Sequence, residues 1–248
     1  MKLVIPLFIS LIAGLSTIIG ALIIFLKIKD KNINKFITFC LSFSLAIMIG
    51  ISVTDLIPAS FFDILINFNL AKATVTIILS FLSGVGVVLI LNRLTNKNED
   101  NLYKLGILNM ITLIIHNFPE GIATFLSSYN DINVGLKLSL AIMLHNIPEG
   151  IAIAVPIYYA TNNKKKALNK TLISGLSEPI GALMAYLILF KYINSQIISI
   201  ILLFVAGIMI SISIHKMLPV TLKYNCNKFI YIGIGVGILF ILINIIIF

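Results

Sequence analysis

Two short segments of this chain place metal-binding side chains at helical spacing. HNFPEGIA at 116–123 recurs as HNIPEGIA at 145–152, with seven of eight positions identical and an offset of 29 residues. Imidazole nitrogen and carboxylate oxygen, four residues apart, are donors that divalent transition metals take. On a helix turning about 100° per residue, Glu120 lies about 40° round from His116 and Asn117 about 100° round. The carboxylate therefore stands between the imidazole and the amide. One ion can be held by His116 and Glu120 and a second by Glu120 and Asn117, with the carboxylate bridging. His145, Asn146 and Glu149 repeat the pattern. The nitrogen and oxygen set suits zinc and tolerates Fe(II), Mn(II), Co(II) or Cd(II). Magnesium, which prefers oxygen and retained water, fits less well.

The elements that must position these residues are membrane helices. The chain is 59% hydrophobic and only 11% charged, which leaves too little polar surface for a soluble shell. Eight apolar runs, at 3–26, 36–59, 70–91, 105–127, 134–158, 168–190, 197–218 and 229–247, are each about the 17–25 residues that cross a hydrocarbon core as helix. They are too continuous for outer-membrane strands. The expectation is an all-α membrane protein of eight transmembrane helices, one domain over 1–248, with the first run a retained helix rather than a cleaved signal. Cys40 and Cys226 read as buried thiols, far apart in sequence.

Charge sets the orientation. Fourteen of the eighteen Lys and Arg fall at or near the first, third, fifth and seventh connections. The other four, Lys2, Lys72, Lys137 and Lys191, fall one each on the opposite side. By the positive-inside rule both termini lie outside the cell membrane. The net charge of +9 is thereby assigned to topology and to contact with membrane lipid, and a nucleic-acid partner is not expected. No phosphate-binding Gly-rich lysine motif is present, which disfavours an ATP-driven pump.

An ionisable group inside the bilayer costs several kcal/mol and is a functional candidate by default. Asp55, Glu120, Glu149 and Glu178 fall within the apolar runs, as do all three histidines, His116, His145 and His215. The other five acids are expected in connections. Pro58, Pro119, Pro148, Pro179 and Pro219 each remove a helical donor beside these groups, freeing carbonyls that lipid tolerates only around a buried or wet cavity. Glu178, in SGLSEPIGA, reads as a further ligand. Asp55 and His215 stay open between ligand and structural roles, and Met48 and Ser52 between a metal path and packing. An offset of 29 puts the two motif copies on consecutive antiparallel helices, related by a pseudo-twofold axis in the membrane plane. TDLIPAS (54–60) faintly echoes HKMLPVT (215–221) in the same inverted sense.

HNFPEG on a fourth helix, HNIPEG on a fifth and SGLSEPIGA on a sixth resemble the signatures of the ZIP (zinc/iron-regulated transporter-like) family, especially its bacterial zinc transporters. The resemblance implies uptake of a divalent metal toward the cytoplasm without ATP, with the metal as substrate and no cofactor. It implies a two-metal centre at the membrane midplane, formed by His116, Asn117, Glu120, His145, Asn146, Glu149 and Glu178. It also implies a 3+2+3 arrangement with an inverted repeat, often a homodimer, and elevator-like movement. Two features depart from the family pattern. The connection at 92–104 has no histidine, and HKMLPVT puts Lys216 and Val220 where relatives tend to carry acids. Aligning Pro58 with Pro219 in the inverted repeat matches Asp55 to Lys216, which leaves Lys216 open between a snorkelling interface anchor and a charge standing alone near the cytoplasmic exit. The competing function is an intramembrane zinc hydrolase using three histidines and an activated water, against which HExxH is absent.

Overall fold

The computed structural model describes residues 3–94, 102–189 and 194–247, and these are helical throughout apart from short connections. The helices are α1 (Val4–Ala21), α2 (Ile33–Ile51), α3 (Ile57–Asn67), α4 (Leu70–Leu94), α5 (Leu102–Asn130) and α6 (Ile132–Thr161). They continue with α7 (Lys164–Gly175), α8 (Ser177–Met184), α9 (Ser195–Ile212), α10 (Leu218–Lys223) and α11 (Asn227–Ile247). Seven continuous helical stretches among the described residues are long and apolar enough to cross a membrane. The sixth expected run, 168–190, is instead divided at Leu176 into α7 and α8, with a π-helical turn at Ala185–Leu189. The second run is longer than hydropathy alone marks, 38 residues over Asp30–Asn67, so Asp63 lies within α3 rather than in a connection. Its Oδ2 accepts from Ser199 Oγ on α9 at 2.8 Å.

Turns are cut by small polar residues at fixed places. Asp131, the single residue between α5 and α6, caps α6 by accepting from the Asn133 and Val134 amides. Its brevity makes α5 and α6 an antiparallel hairpin. Asn162, in the left-handed region at φ 49°, ends α6, and Asn163 then caps α7. Asn194 caps α9.

Two π-helical turns precede prolines at the same offset. Ser52–Leu56 joins α2 to α3, and Ser213–Met217 joins α9 to α10. In each, the residue just before the proline donates five positions back, Ile57 to the Ser52 carbonyl and Leu218 to the Ser213 carbonyl. A proline's missing donor is thus accompanied by one extra residue in the turn.

The helices form two groups. In one, α5 and α6 pack on each other, α6 packs on α1, and α5 packs on α8. In the other, α2 packs on α11, and α4 packs on α9. The groups meet where α2 lies on α6 and where α5 lies on α9. A hydrogen bond crosses there, from Ser44 Oγ to the Pro148 carbonyl at 2.7 Å. The close approaches inside the first group depend on the final glycine of each motif. A Cβ at Gly121 would strike the Glu178 carbonyl on α8, and one at Gly150 would strike the Thr17 carbonyl on α1.

Candidate metal centre

Both motif helices run unbroken through their prolines, so the i,i+4 geometry expected for His116 and Glu120 is realised. His116 Nε2 lies 3.3 Å from Glu120 Oε1. The shorter contacts run between helices and are reciprocal. His145 Nε2 is 2.9 Å from Glu120 Oε1, and His116 Nε2 is 3.0 Å from Glu149 Oε1. The two imidazole centroids are 6.2 Å apart. Sequence spacing cannot reveal this cross-pairing, because it depends on how the hairpin aligns its two copies. Ligand atoms of His116, Glu120 and His145 all lie within 4.8 Å of one another, close enough to share one ion.

The amides and the third glutamate extend the cluster. Asn117, with its amide nitrogen turned toward acceptors, donates to the Leu113 carbonyl (2.9 Å) and to Glu149 Oε2 (3.2 Å). Glu149 therefore faces His116 with one oxygen and Asn117 with the other. Asn146 Nδ2 donates to Glu178 Oε2 and to the Ala13 carbonyl, each at 2.9 Å. The structure thus brings all seven expected residues together, drawn from α5, α6 and α8, and buries them all. Glu120 Oε2, Asn146 Oδ1 and Glu178 Oε1 are buried without a hydrogen-bond partner among the described residues. Buried polar oxygens cost free energy when unmet, and a divalent cation is a species that would meet them.

The residues left open by sequence sort themselves by position. Met48 and Ser52 are buried in packing, Ser52 donating to the Met48 carbonyl and lying 3.7 Å from Met209 Sδ. His215 is exposed, with Nδ1 3.0 Å from the Ser211 carbonyl, and belongs to the π-helical turn rather than to the cluster. Lys216 is buried and partnered, so it does not stand alone. Asp55 is exposed in a cavity of about 440 Å³ whose lining also includes Thr54, Lys137, His145 and Asn244. Lys137 and Asn244 escaped the sequence reading. The one available signal was a lone lysine two turns before a metal motif, which charge counting had assigned to a connection.

Comparison with known proteins gives the same identification. Residues 95–243 match the family model described as ZIP Zinc transporter. A protein of Streptococcus mutans serotype c named zinc transporter ZupT is 36% identical, covering 96% of this chain and 95% of its own length. Proteins of the same name from Lysinibacillus sphaericus and Oceanobacillus iheyensis are 38% and 39% identical, each comparison covering 87% of both chains. The matched segment contains both HNxPEG motifs and Glu178, and the chain belongs to the ZIP zinc transporter family.

Proposed function

We propose that this protein carries zinc across the cell membrane, inward, through the buried His/Glu/Asn cluster. The observation that carries the reading is the reciprocal pairing of the two motif copies, His145 with Glu120 and His116 with Glu149, at 2.9 and 3.0 Å inside a membrane protein. The zinc-transporter relatives agree with it. His116, Asn117, Glu120, His145, Asn146, Glu149 and Glu178 are the ligands. They divide into two sites, one on the imidazoles and one on the Asn146–Glu178 side, with Glu120 and Glu149 reaching toward both. Fe(II), Mn(II), Co(II) and Cd(II) are further substrates that the same donors accept.

The wider architecture we infer has eight crossings, α7 and α8 together making the sixth, in a 3+2+3 inverted repeat. Matched contacts support it: α5 on α8 corresponds to α6 on α1, α4 on α9 to α11 on α2, and α5 on α9 to α6 on α2. Both termini lie outside. The cavity from Asp55 and Lys137 to His145 then opens outward and serves as the entry. Two such chains pair as a homodimer in contact with membrane lipid.

The test is uptake of radiolabelled zinc into proteoliposomes holding the purified protein. Zinc should accumulate without ATP, and Glu120→Ala and Glu149→Ala should reduce accumulation to that of empty vesicles. Normal flux in either variant sinks the proposed site.

A further inference from the structure

A second concavity lies away from the metal centre. A cavity of about 780 Å³ sits where α1 hands over to α2, against the first turn of α11. Its polar side carries Lys27, Lys29, Lys31 and Lys35. Its apolar side carries Phe36 and Phe39 from α2 and Phe229 and Ile232 from α11, each pair at i,i+3 on its helix. None of the four lysines is in an ion pair among the described residues. Asp30 shares the turn but does not line the cavity.

Three further observations bear on what fits there. First, α2 begins at this cavity without a side-chain cap, so the positive end of its dipole adds to the lysine charge. Second, Lys35 lies 5.8 Å from the Phe229 ring centroid, which places charge at the seam between α2 and α11. Third, the seam continues down the helices as aromatic surface, with Phe39 stacked on Phe43 at 6.1 Å and Phe43 against Phe240 at 6.0 Å. The other lysine cluster is arranged differently. Lys164 lies 4.5 Å over the Phe25 ring and Lys166 lies 4.3 Å over the Tyr103 ring, so both cations are already met by aromatic faces.

We propose that this cavity is a binding site for an anionic phospholipid, its phosphate held by Lys29, Lys31, Lys35 and the start of α2, and its acyl chains laid along Phe36, Phe39 and Ile232. Charge complementarity selects an anion. The apolar wall, running into the hydrocarbon, selects an anion with chains over a soluble one. Cavities of roughly 300–1,000 Å³ are the size that takes small-molecule ligands. A lysine beside a charged bilayer contributes about a fivefold preference.

The test uses the full-length protein, delipidated in detergent and titrated by native mass spectrometry. Dioleoyl phosphatidylglycerol should be retained at least tenfold more tightly than dioleoyl phosphatidylcholine. Lys29→Gln, Lys31→Gln and Lys35→Gln combined should erase that preference, while the same three positions as arginine should keep it. Lys164→Gln, Lys165→Gln and Lys166→Gln combined should also leave it intact. Phe39→Ala should weaken dioleoyl over dihexanoyl phosphatidylglycerol. The proposal is overturned if the glutamine triple keeps the preference, or if the control triple or the arginine triple loses it. Displacement of the lipid by millimolar inorganic phosphate likewise overturns it in favour of a free-anion site.

Discussion

Glu120 has His116 below it on its own helix and His145 across the hairpin, at 3.3 and 2.9 Å. Removing that carboxylate strips His145 of its carboxylate partner and leaves Glu149 as the one motif glutamate to offset a dication. Glu120→Ala should therefore lower zinc uptake by at least two orders of magnitude while membrane expression holds, measured as initial rates corrected for protein inserted. Glu178→Gln, which keeps the Asn146 contact and removes one charge, should leave measurable flux. Equal loss in both variants would mean that Glu178 is as essential as the motif glutamates. Protons compete at these donors, because metal binding needs neutral imidazole and ionised carboxylate. Zinc affinity should therefore fall as the outside pH drops from neutral into the acidic range. An affinity flat across that range, followed by isothermal titration, counts against a His/Glu site. The clustered His and Glu residues stood out in the sequence because ionisable residues are rare in apolar runs. The partner of each was not legible, since Glu149's approach to His116 depends on hairpin alignment rather than on spacing along one helix.

At the scale of elements, hydropathy located the helices but not their interruptions. A window of apolar residues reads the same whether the backbone bonds four or five positions back, so the turns at Ser52–Leu56 and Ser213–Met217 leave no compositional trace beyond Pro58 and Pro219. The break at Leu176 is marked only by Gly175 before it and Pro179 after it, which kink a membrane helix as readily as they divide one. What the repeat did signal is the glycine closing each motif. Gly121 lets α5 press its backbone against Glu178 on α8, and adding a methyl group there forces two helices apart at the level of the ligands. Gly121→Ala should cost about 1–3 kcal/mol in stability and reduce zinc flux. Gly235→Ala, where nothing lies within 4 Å of the new carbon, should be neutral or slightly stabilising. Thermal unfolding of both variants in detergent separates the cases, and a Gly121→Ala protein melting at the wild-type temperature refutes the packing account.

Over the whole molecule, the lysine pattern predicts which surface faces the cytoplasm. In a background lacking Cys40 and Cys226, a cysteine at Asn163 should resist impermeant thiol reagents added to intact cells. One at Asn69, between α3 and α4 on the opposite side, should label readily. The reverse pattern inverts the orientation and with it the direction assigned to the cavity at Asp55. Helix order was readable because lipid imposes a length rule on every crossing. The division into two groups was not, because apolar faces that meet another helix and those that meet lipid have the same composition.

The bond from Ser44 to the Pro148 carbonyl has a kinetic consequence. It crosses between the two groups and ends one residue before Glu149. If the group bearing the metal centre shifts against the other to release zinc, this bond belongs to one end position only. Its net worth, about 1 kcal/mol, corresponds to about a fivefold bias in dwell time. A Ser44→Ala transporter should then spend less of each cycle open at the cavity reaching His145. Zinc arriving from that side would find its binding state less often. The concentration giving half-maximal uptake should rise a few-fold, with the ligands themselves untouched.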